Sequence, residues 1–198
     1  MVRHGRTAWN VNGRFQGHTD IPLDEIGRAQ AKALGDALRA ERFARIVASD
    51  LSRARETAEL VRAGREVEIE FDPRWREMRF GTWEGLTWSE IVARYPQFAE
   101  RSATGARFFT PEGGESFDEL CERIGQALAA IEEHAHDGDR ILVATHAGPL
   151  HALLRVALGE SEADALKVRF SPASITRLAF DAAGARVVEL NRTVEVSA

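Results

Sequence analysis

The sequence predicts an α/β protein with a three-layer α/β/α sandwich, in which helices flank a mostly parallel central sheet. Two observations carry this prediction. Short apolar runs of strand type alternate along the chain with segments whose apolar residues recur at helical spacing. Polar and glycine residues follow directly after several of these runs, as in the loops at the carboxyl edge of a parallel sheet.

Length and composition fit a single domain, 1–198. Hydrophobic residues make up 44% of the chain and charged residues 29%, which is ordinary for a globular protein that packs a core. A formal net charge of −5 argues against a general nucleic-acid binder, which needs a basic surface. One cysteine, Cys121, permits no internal disulfide, and no leader or long apolar span is visible. We therefore expect a cytoplasmic protein with neither nucleic-acid nor membrane partners.

The first half of the chain contains two predicted strands and two predicted helices after a short strand that ends before the first histidine. Apolar positions over 23–40 line one helix face. The run RIVAS, 45–49, is of strand type, and 51–63 has helical spacing. The run EVEIEF, 66–71, alternates polar and apolar residues, as a half-buried strand does.

Two capping boxes mark helix starts further along the chain. Thr87 and Glu90 have the spacing of such a box before a short helix. Ser116 and Glu119 repeat it before 117–131, where apolar residues keep to one face for about four turns at 3.6 residues each.

The end of the chain predicts a buried strand, a helix and a hairpin. The run 140–145 is apolar on both faces, and the helix after it closes at Gly159. The runs 174–180 and 186–190 predict a closing hairpin. Only 96–115 has no helical or strand periodicity, and a loop of this length is usually a lid or disordered, of which we expect a lid.

Ligands of open α/β sheets lie beyond the carboxyl ends of the strands. Arginine forks match phosphate oxygens, glycine lets backbone N–H groups approach closely, and the start of a helix adds partial positive charge. Residues of these types follow the predicted strands: Arg3-His4-Gly5, Asp50 to Arg53, Arg76-Glu77 and His146-Ala147-Gly148. The sequence therefore predicts a phosphate pocket at this edge.

Two side chains of this set have a chemical role suggested by their type. A neutral histidine can attack phosphorus, and arginines next to His4 favour its neutral form because they oppose a further positive charge. A bound phosphate repels negative charge, so a carboxylic acid such as Glu77 would hold a proton beside it and pass it to the leaving oxygen.

The segment RHGRTAWN resembles the RHGxTxxN signature of the histidine phosphatase superfamily, in its phosphoglycerate-mutase-like branch. The segments SDLSRARETA, REMRFGTWEGLTWSEI, PEGGESFDEL and VATHAGPLHAL follow in the order and approximate spacing of that family. The resemblance thus covers nearly the whole chain.

The resemblance implies a phosphoric monoester hydrolase that needs no metal or other cofactor. It implies that His4 becomes phosphohistidine and that Glu77 is the proton donor. The phosphoryl oxygens would be held by Arg3, Arg53 and His146, with Asn10 assisting. Substrate contacts are implied for Gln16, Gly17 and Ala147.

Three features depart from the family pattern. Arg6 stands where the family usually has an acidic residue, and Ala147 stands where it commonly has glycine. Only Met1 and Val2 precede Arg3, whereas strands have about five or six residues. We therefore expect the start of the protein to lie upstream, and a frayed first strand to loosen the nucleophile.

The remaining histidines are interpreted as surface or core residues, and no metal is expected because no cysteine or carboxylate set completes a zinc site. They are His18, His134, His136 and His151. Three tryptophans near the site fit a substrate entrance and packing anchors equally well. They are Trp75, Trp83 and Trp88.

The expected function is a phosphatase acting on small phosphomonoesters through phosphohistidine. A phosphoglycerate mutase is the first alternative, although mutases of this branch have a longer insertion before the second histidine. The second alternative is a weakly catalytic protein that binds phosphorylated ligands in the same pocket. The physiological substrate and the oligomeric state stay open at this point.

Overall fold

The computed structural model describes residues 1–98, 110–159, 162–165 and 167–196. The strands are β1 (Val2–Arg3), β2 (Arg45–Ala48), β3 (Ile69–Phe71), β4 (Ile141–Thr145), β5 (Ser174–Asp181) and β6 (Gly184–Thr193). The helices are α1 (Ala8–Val11), α2 (Glu25–Ala37), α3 (Ser52–Arg62), α4 (Trp88–Arg94), α5 (Phe117–Glu132), α6 (Ala147–Leu158) and α7 (Glu162–Ala165). Short 3-10 turns form at Pro73–Trp75 and Gly81–Trp83.

The strands of the described residues form one sheet in the order β3-β2-β4-β1-β5-β6. Strands β1, β2, β3 and β4 are parallel to their neighbours in this group, whereas β5 is antiparallel to β1 and forms the predicted hairpin with β6. The predicted fold class, a mostly parallel sheet between helices, is confirmed.

Alternation of side chains across the sheet builds a core on each face, because successive residues of a strand point to opposite sides. In β4, Leu142 and Ala144 pack with α2 and α3, whereas Val143 packs with α5 and α6. A fully buried leucine or valine side chain contributes about 1.5–3 kcal/mol. The two cores therefore fix the register of β4, whose carboxyl end leads into the second predicted histidine.

The predicted helix signals are present in the structure. Both capping boxes form, Thr87 with Glu90 and Ser116 with Glu119. Gly159 ends α6 in the left-handed conformation, with φ of 67°. The strand predicted over 66–71 is shorter in the structure, where β3 pairs with β2 over three residues only, whereas β6 is longer than the predicted 186–190.

The short first strand is held on both sides. Val2 and Arg3 pair with β4, and Val2 also pairs with β5. The backbone of His4 continues this pairing, since its N–H donates to Thr145 (2.9 Å) and its carbonyl accepts from Ala173 (3.0 Å). In this structure the pairing extends to the candidate nucleophile itself.

Two further sequence predictions concern a lid over 96–115 and the absence of a membrane span. Most of the predicted lid, 96–115, lies outside them, because 99–109 are not described. Within the described part of the chain, no helix has the length and apolar character needed to cross a membrane.

Candidate active site

Five predicted residues come together at the carboxyl edge of the sheet. Arg3 ends β1 and His4 follows it, Arg53 lies in the first turn of α3, and Glu77 and His146 follow β3 and β4. The rings of His4 and His146 have centroids 5.0 Å apart. Both histidines and Arg53 have at most 1% of their surface exposed. The carboxyl edge of the sheet thus brings together side chains from four distant parts of the chain, as predicted from the strand ends.

The hydrogen bonding of His4 fixes which ring nitrogen carries the proton. Nδ1 lies 2.7 Å from the carbonyl oxygen of Gly5, and a carbonyl only accepts, so Nδ1–H is the donor. The pKa of His4 lies well below its usual value of 6.5, first because of burial and then because of the charges of Arg53 and Arg3. The neutral ring therefore keeps an unprotonated Nε2. The arginines lower this pKa as predicted from the sequence, and burial lowers it more.

His146 has the opposite arrangement. Arg53 Nε–H donates to Nδ1 of His146 at 3.2 Å, because a guanidinium has no acceptor. The remaining ring nitrogen, Nε2, lies 2.8 Å from Ser49 Oγ. Burial lowers the pKa of His146 well below its usual value, and the positive charge of Arg53 adds to this effect. The neutral ring therefore carries its proton on Nε2.

Arg53 is anchored to the first loop through two backbone carbonyls. Nη1 donates to Thr19 at 3.0 Å and Nη2 donates to Gly17 at 2.8 Å. Burial lowers the pKa of Arg53 to about 10, so its guanidinium is charged at neutral pH. Gly17 thus contacts Arg53 through its carbonyl, in addition to its predicted contact with substrate.

Glu84 fixes the loop that carries these carbonyls. Its carboxylate accepts hydrogen bonds from the backbone N–H groups of His18 (3.0 Å) and Thr19 (2.9 Å). Gly17 has φ of 53°, and a Cβ there would lie 2.1 Å from Glu84 Oε1. Only glycine fits at this position without displacing Glu84. Sequence reasoning missed Glu84, which is 67 positions away along the chain and carries no local signal.

Arg3, next to His4, has one side-chain donor in use and one without a hydrogen-bond partner among the described residues. Its Nη1 donates to the carbonyl of Phe170 at 2.5 Å, whereas Nε is buried and has no hydrogen-bond partner among the described residues. Burial lowers the pKa of Arg3, and the charge of Glu77 opposes this shift. Because an unpaired buried donor is costly, Nε is suited to a bound anion.

Glu77 is pinned by one of its two carboxylate oxygens. Oε1 accepts from the backbone N–H groups of Met78 and Gly148, both at 2.8 Å. A Cβ on Gly148 would lie 2.3 Å from this oxygen, so this position of α6 needs a residue without a side chain for the contact to form. Oε2 has no hydrogen bond among the described residues, which leaves it available for proton exchange.

The remaining predicted ligands stiffen the first loop or flank the pocket. Asn10 Oδ1 accepts from the backbone N–H of Thr7 at 3.0 Å and completes a capping box on α1 that the sequence analysis missed. Gln16 is buried and accepts from Thr7 Oγ1 at 3.1 Å. Ala147 is the first residue of α6, next to His146.

Other residues near the site have partners that the sequence did not reveal. The guanidinium of Arg76 donates to both carboxylate oxygens of Asp50, at 2.7 and 2.5 Å, so this arginine is held in an ion pair. His18 Nε2 lies 2.9 Å from the carbonyl oxygen of Glu77, which makes His18 part of the surroundings of the site. Trp75 and Trp83 are buried packing residues, whereas Trp88 is 38% exposed.

A parallel-sheet edge with two neutral histidines between arginines is suited to phosphoryl transfer through histidine. The chain belongs to the histidine phosphatase superfamily, branch 1, whose family model matches residues 1–193. The family predicted from the sequence motifs is thus confirmed.

Relatives of known name extend this result. The chain is 36% identical over 168 residues to a metal-independent phosphoserine phosphatase of Arabidopsis thaliana, covering 81% of this chain and 69% of the relative. It is 36% identical over 156 residues to phosphoglycerate mutase-like protein 4 of the same plant, covering 77% and 67%. The solved structure of a mycobacterial glucosyl-3-phosphoglycerate phosphatase superposes with a TM-score of 0.88 at 31% identity, covering 98% of each chain. These relatives confirm the predicted enzyme class, phosphoric monoester hydrolases of the histidine phosphatase type.

Proposed function

We propose that this protein is a metal-independent phosphatase that hydrolyses small phosphomonoesters through a phosphohistidine on His4. The observation that carries the proposal is the hydrogen bond from His4 Nδ1–H to the Gly5 carbonyl in a buried neutral ring. This hydrogen bond leaves the lone pair of Nε2 as the nucleophile. The centroid of the His4 ring lies 5.0 Å from that of the second histidine, His146.

In the first step Nε2 of His4 attacks phosphorus. A bond forms between Nε2 and phosphorus while the bond to the ester oxygen breaks, and that oxygen takes a proton from Glu77 Oε2. The phosphorylated ring carries a positive charge, which the bond from Nδ1–H to the Gly5 carbonyl stabilises. Arg3 Nε and the guanidinium of Arg53 hold the non-bridging oxygens.

In the second step water attacks phosphorus and Glu77, now a carboxylate, takes a proton from that water. The bond between phosphorus and Nε2 breaks, and its electron pair returns to the ring of His4. His146 accepts from Arg53 Nε–H through Nδ1 and so keeps Arg53 in place beside the phosphoryl group, while its own Nε2–H donates to Ser49 Oγ. The entrance of this pocket is lined or supported by the remaining predicted contacts, Asn10, Gln16, Gly17 and Ala147.

The substrate class follows from chemistry shared by the relatives. Two of them are named for phosphoserine and glucosyl-3-phosphoglycerate, each a phosphomonoester of a small organic molecule. Hydrolysis is favoured over phosphoryl return to a second hydroxyl by the metal-independent phosphatase relative, while the mutase-like relative keeps a mutase as the alternative. We also propose a cytoplasmic location, supported by the single cysteine in 198 residues.

The test is phosphate release from phosphoserine, 3-phosphoglycerate and p-nitrophenyl phosphate with EDTA present, while 2-phosphoglycerate formation is followed in parallel. We expect phosphate and no isomer. His4→Ala should lower phosphate release by at least about a thousandfold with an unchanged circular dichroism spectrum. His134→Ala, at an exposed histidine, serves as the matched control and should be fully active.

Each other result points to a different function. Isomer formation would make the protein a mutase, and loss of activity in EDTA would contradict metal independence. Saturable binding of these esters without any turnover would make it a binding protein. Substantial turnover by His4→Ala would remove His4 from the role of nucleophile.

A further inference from the structure

One arginine of α5 holds the backbone that leads into Glu77. Arg123 Nη1 donates to the carbonyls of Arg74 (2.6 Å) and Arg76 (3.0 Å). Arg123 Nη2 lies 3.3 Å from the carbonyl oxygen of Glu77 itself and donates to it. A single guanidinium thus binds three carbonyls within four residues of chain, although Arg123 is 46 positions from Glu77.

Glu115 completes this arrangement and joins it to the next stretch of chain. Its carboxylate is paired with Arg123, at 2.5 Å from Nη2 and 3.3 Å from Nε. Glu115 Oε1 also accepts from the backbone N–H of Arg79 at 2.8 Å, and the Glu115 N–H donates to the Arg79 carbonyl at 2.9 Å. The side chain of Glu115 is 10% exposed and that of Arg123 is 20% exposed, so solvent screens their ion pair less than it screens a surface pair.

The backbone position of this segment determines where the acid lies. Glu77 Oε1 is fixed by the N–H groups of Met78 and Gly148, so Oε2 can move only with the chain that carries it. A general acid works within about 2.6–3.2 Å of the atom that it protonates. We propose that Arg123, together with Glu115, is a positioning residue that places Glu77 Oε2 against the leaving oxygen without touching substrate.

This role rests on the proposed function, in which Glu77 protonates the leaving group. It can be measured as a change in the ratio of kcat/KM values on two esters, which a loss of stability alone would not produce. An alkyl oxygen needs a proton as it leaves, whereas p-nitrophenolate is a stable anion and hardly needs one. We compare kcat/KM for phosphoserine and p-nitrophenyl phosphate, because kcat/KM reports the step that breaks the ester bond. Glu77→Gln is the reference variant and should lose far more on phosphoserine.

Arg123→Gln should lower kcat/KM on phosphoserine by about tenfold or more and on p-nitrophenyl phosphate by no more than about threefold. The double variant Arg123→Gln with Glu77→Gln should show no larger difference between the two esters than Glu77→Gln alone, because both act on one proton transfer. Glu115→Gln keeps the size of the side chain and should shift the ratio in the same direction.

Arg65→Gln is the matched control. Arg65 also binds several carbonyls, among them Val61 at 2.5 Å and Leu38 at 2.6 Å, but it follows the end of α3 remote from the site. It should lower the melting temperature without changing the ratio of the two substrates.

Two results would overturn the proposal in distinguishable ways. An equal loss on both esters by Arg123→Gln and Glu115→Gln, with a selective loss by Glu77→Gln, would leave Arg123 a purely structural residue. An equal loss on both esters by Glu77→Gln itself would instead remove the proton-donor role on which the proposed function depends.

Discussion

At the scale of single residues, the two buried histidines of the site differ in what faces their Nδ1 atoms. A backbone carbonyl faces Nδ1 of His4, and the Nε–H of Arg53 faces Nδ1 of His146. An acceptor and a donor impose opposite tautomers on two chemically identical rings. One ring therefore keeps a free lone pair on Nε2, as the proposed nucleophile needs, while the other donates its Nε2–H to Ser49 Oγ.

These tautomers can be observed directly. We expect the ring nitrogens of His4 to show Nδ1–H with an unprotonated Nε2, those of His146 to show the reverse, and both rings to be neutral at pH 6.5, because burial lowers each pKa well below that value. Two-bond ¹H–¹⁵N correlation spectra measure this, with His4→Gln and His146→Gln as the variants that assign the signals. The same tautomer in both rings, or a protonated ring at that pH, would contradict the assignment.

The predictability of these residues depends on how local their signal is. His4, Arg53, Glu77 and His146 could be predicted to converge, because each follows an apolar strand and parallel strands share one carboxyl edge. Arg123 could not, since an arginine on an amphipathic helix looks like any solvated residue. Its partners are carbonyls far along the chain, and main-chain acceptors carry no sequence signal.

At the scale of elements, helix α6 begins without a side-chain cap of its own. His146 is the residue before it and makes no capping bond, while Glu77, from a loop 71 positions earlier, accepts the Gly148 N–H. The first N–H groups of a helix need such a partner, and the partial positive charge there favours a carboxylate. The sequence predicted where this helix lies, and it could not show that Glu77, the proposed proton donor, caps it.

A comparison of two glycines tests this capping contact. Gly148→Ala places a Cβ 2.3 Å from Glu77 Oε1, so we expect about tenfold or greater loss of kcat/KM on phosphoserine and no gain in the free energy of unfolding. Gly125→Ala, within α5, meets only Val156 at 3.7 Å and should stabilise the protein by about 0.5–1 kcal/mol with full activity. Urea unfolding and the two-substrate assay measure both. A stable, fully active Gly148→Ala would show that the contact is dispensable.

At the scale of the whole molecule, burial of neutral histidines makes stability depend on pH. The pKa values of His4 and His146 lie well below 6.5 in the folded protein, and burial also lowers those of His18 and His151. An unfolded chain binds protons at these side chains near pH 6.5, whereas the folded chain binds fewer. Because the unfolded state binds more protons, stability rises with pH through this window and is lost as the pH falls below it.

This linkage predicts a shallower pH dependence when one buried histidine is removed. Between pH of about 6 and 5, each such histidine lowers the free energy of unfolding by up to about 1.4 kcal/mol per pH unit, since the unfolded chain takes up a proton that the folded chain excludes. His146→Gln should reduce this slope by up to about 1.4 kcal/mol per pH unit, which corresponds to one proton. The wild-type protein and the variant share every other group that titrates in this pH range. Urea unfolding of both proteins across this range measures the difference. Equal slopes would mean that His146 takes up its proton within the folded site, and the neutral, Nε2-protonated ring inferred for it would then be wrong.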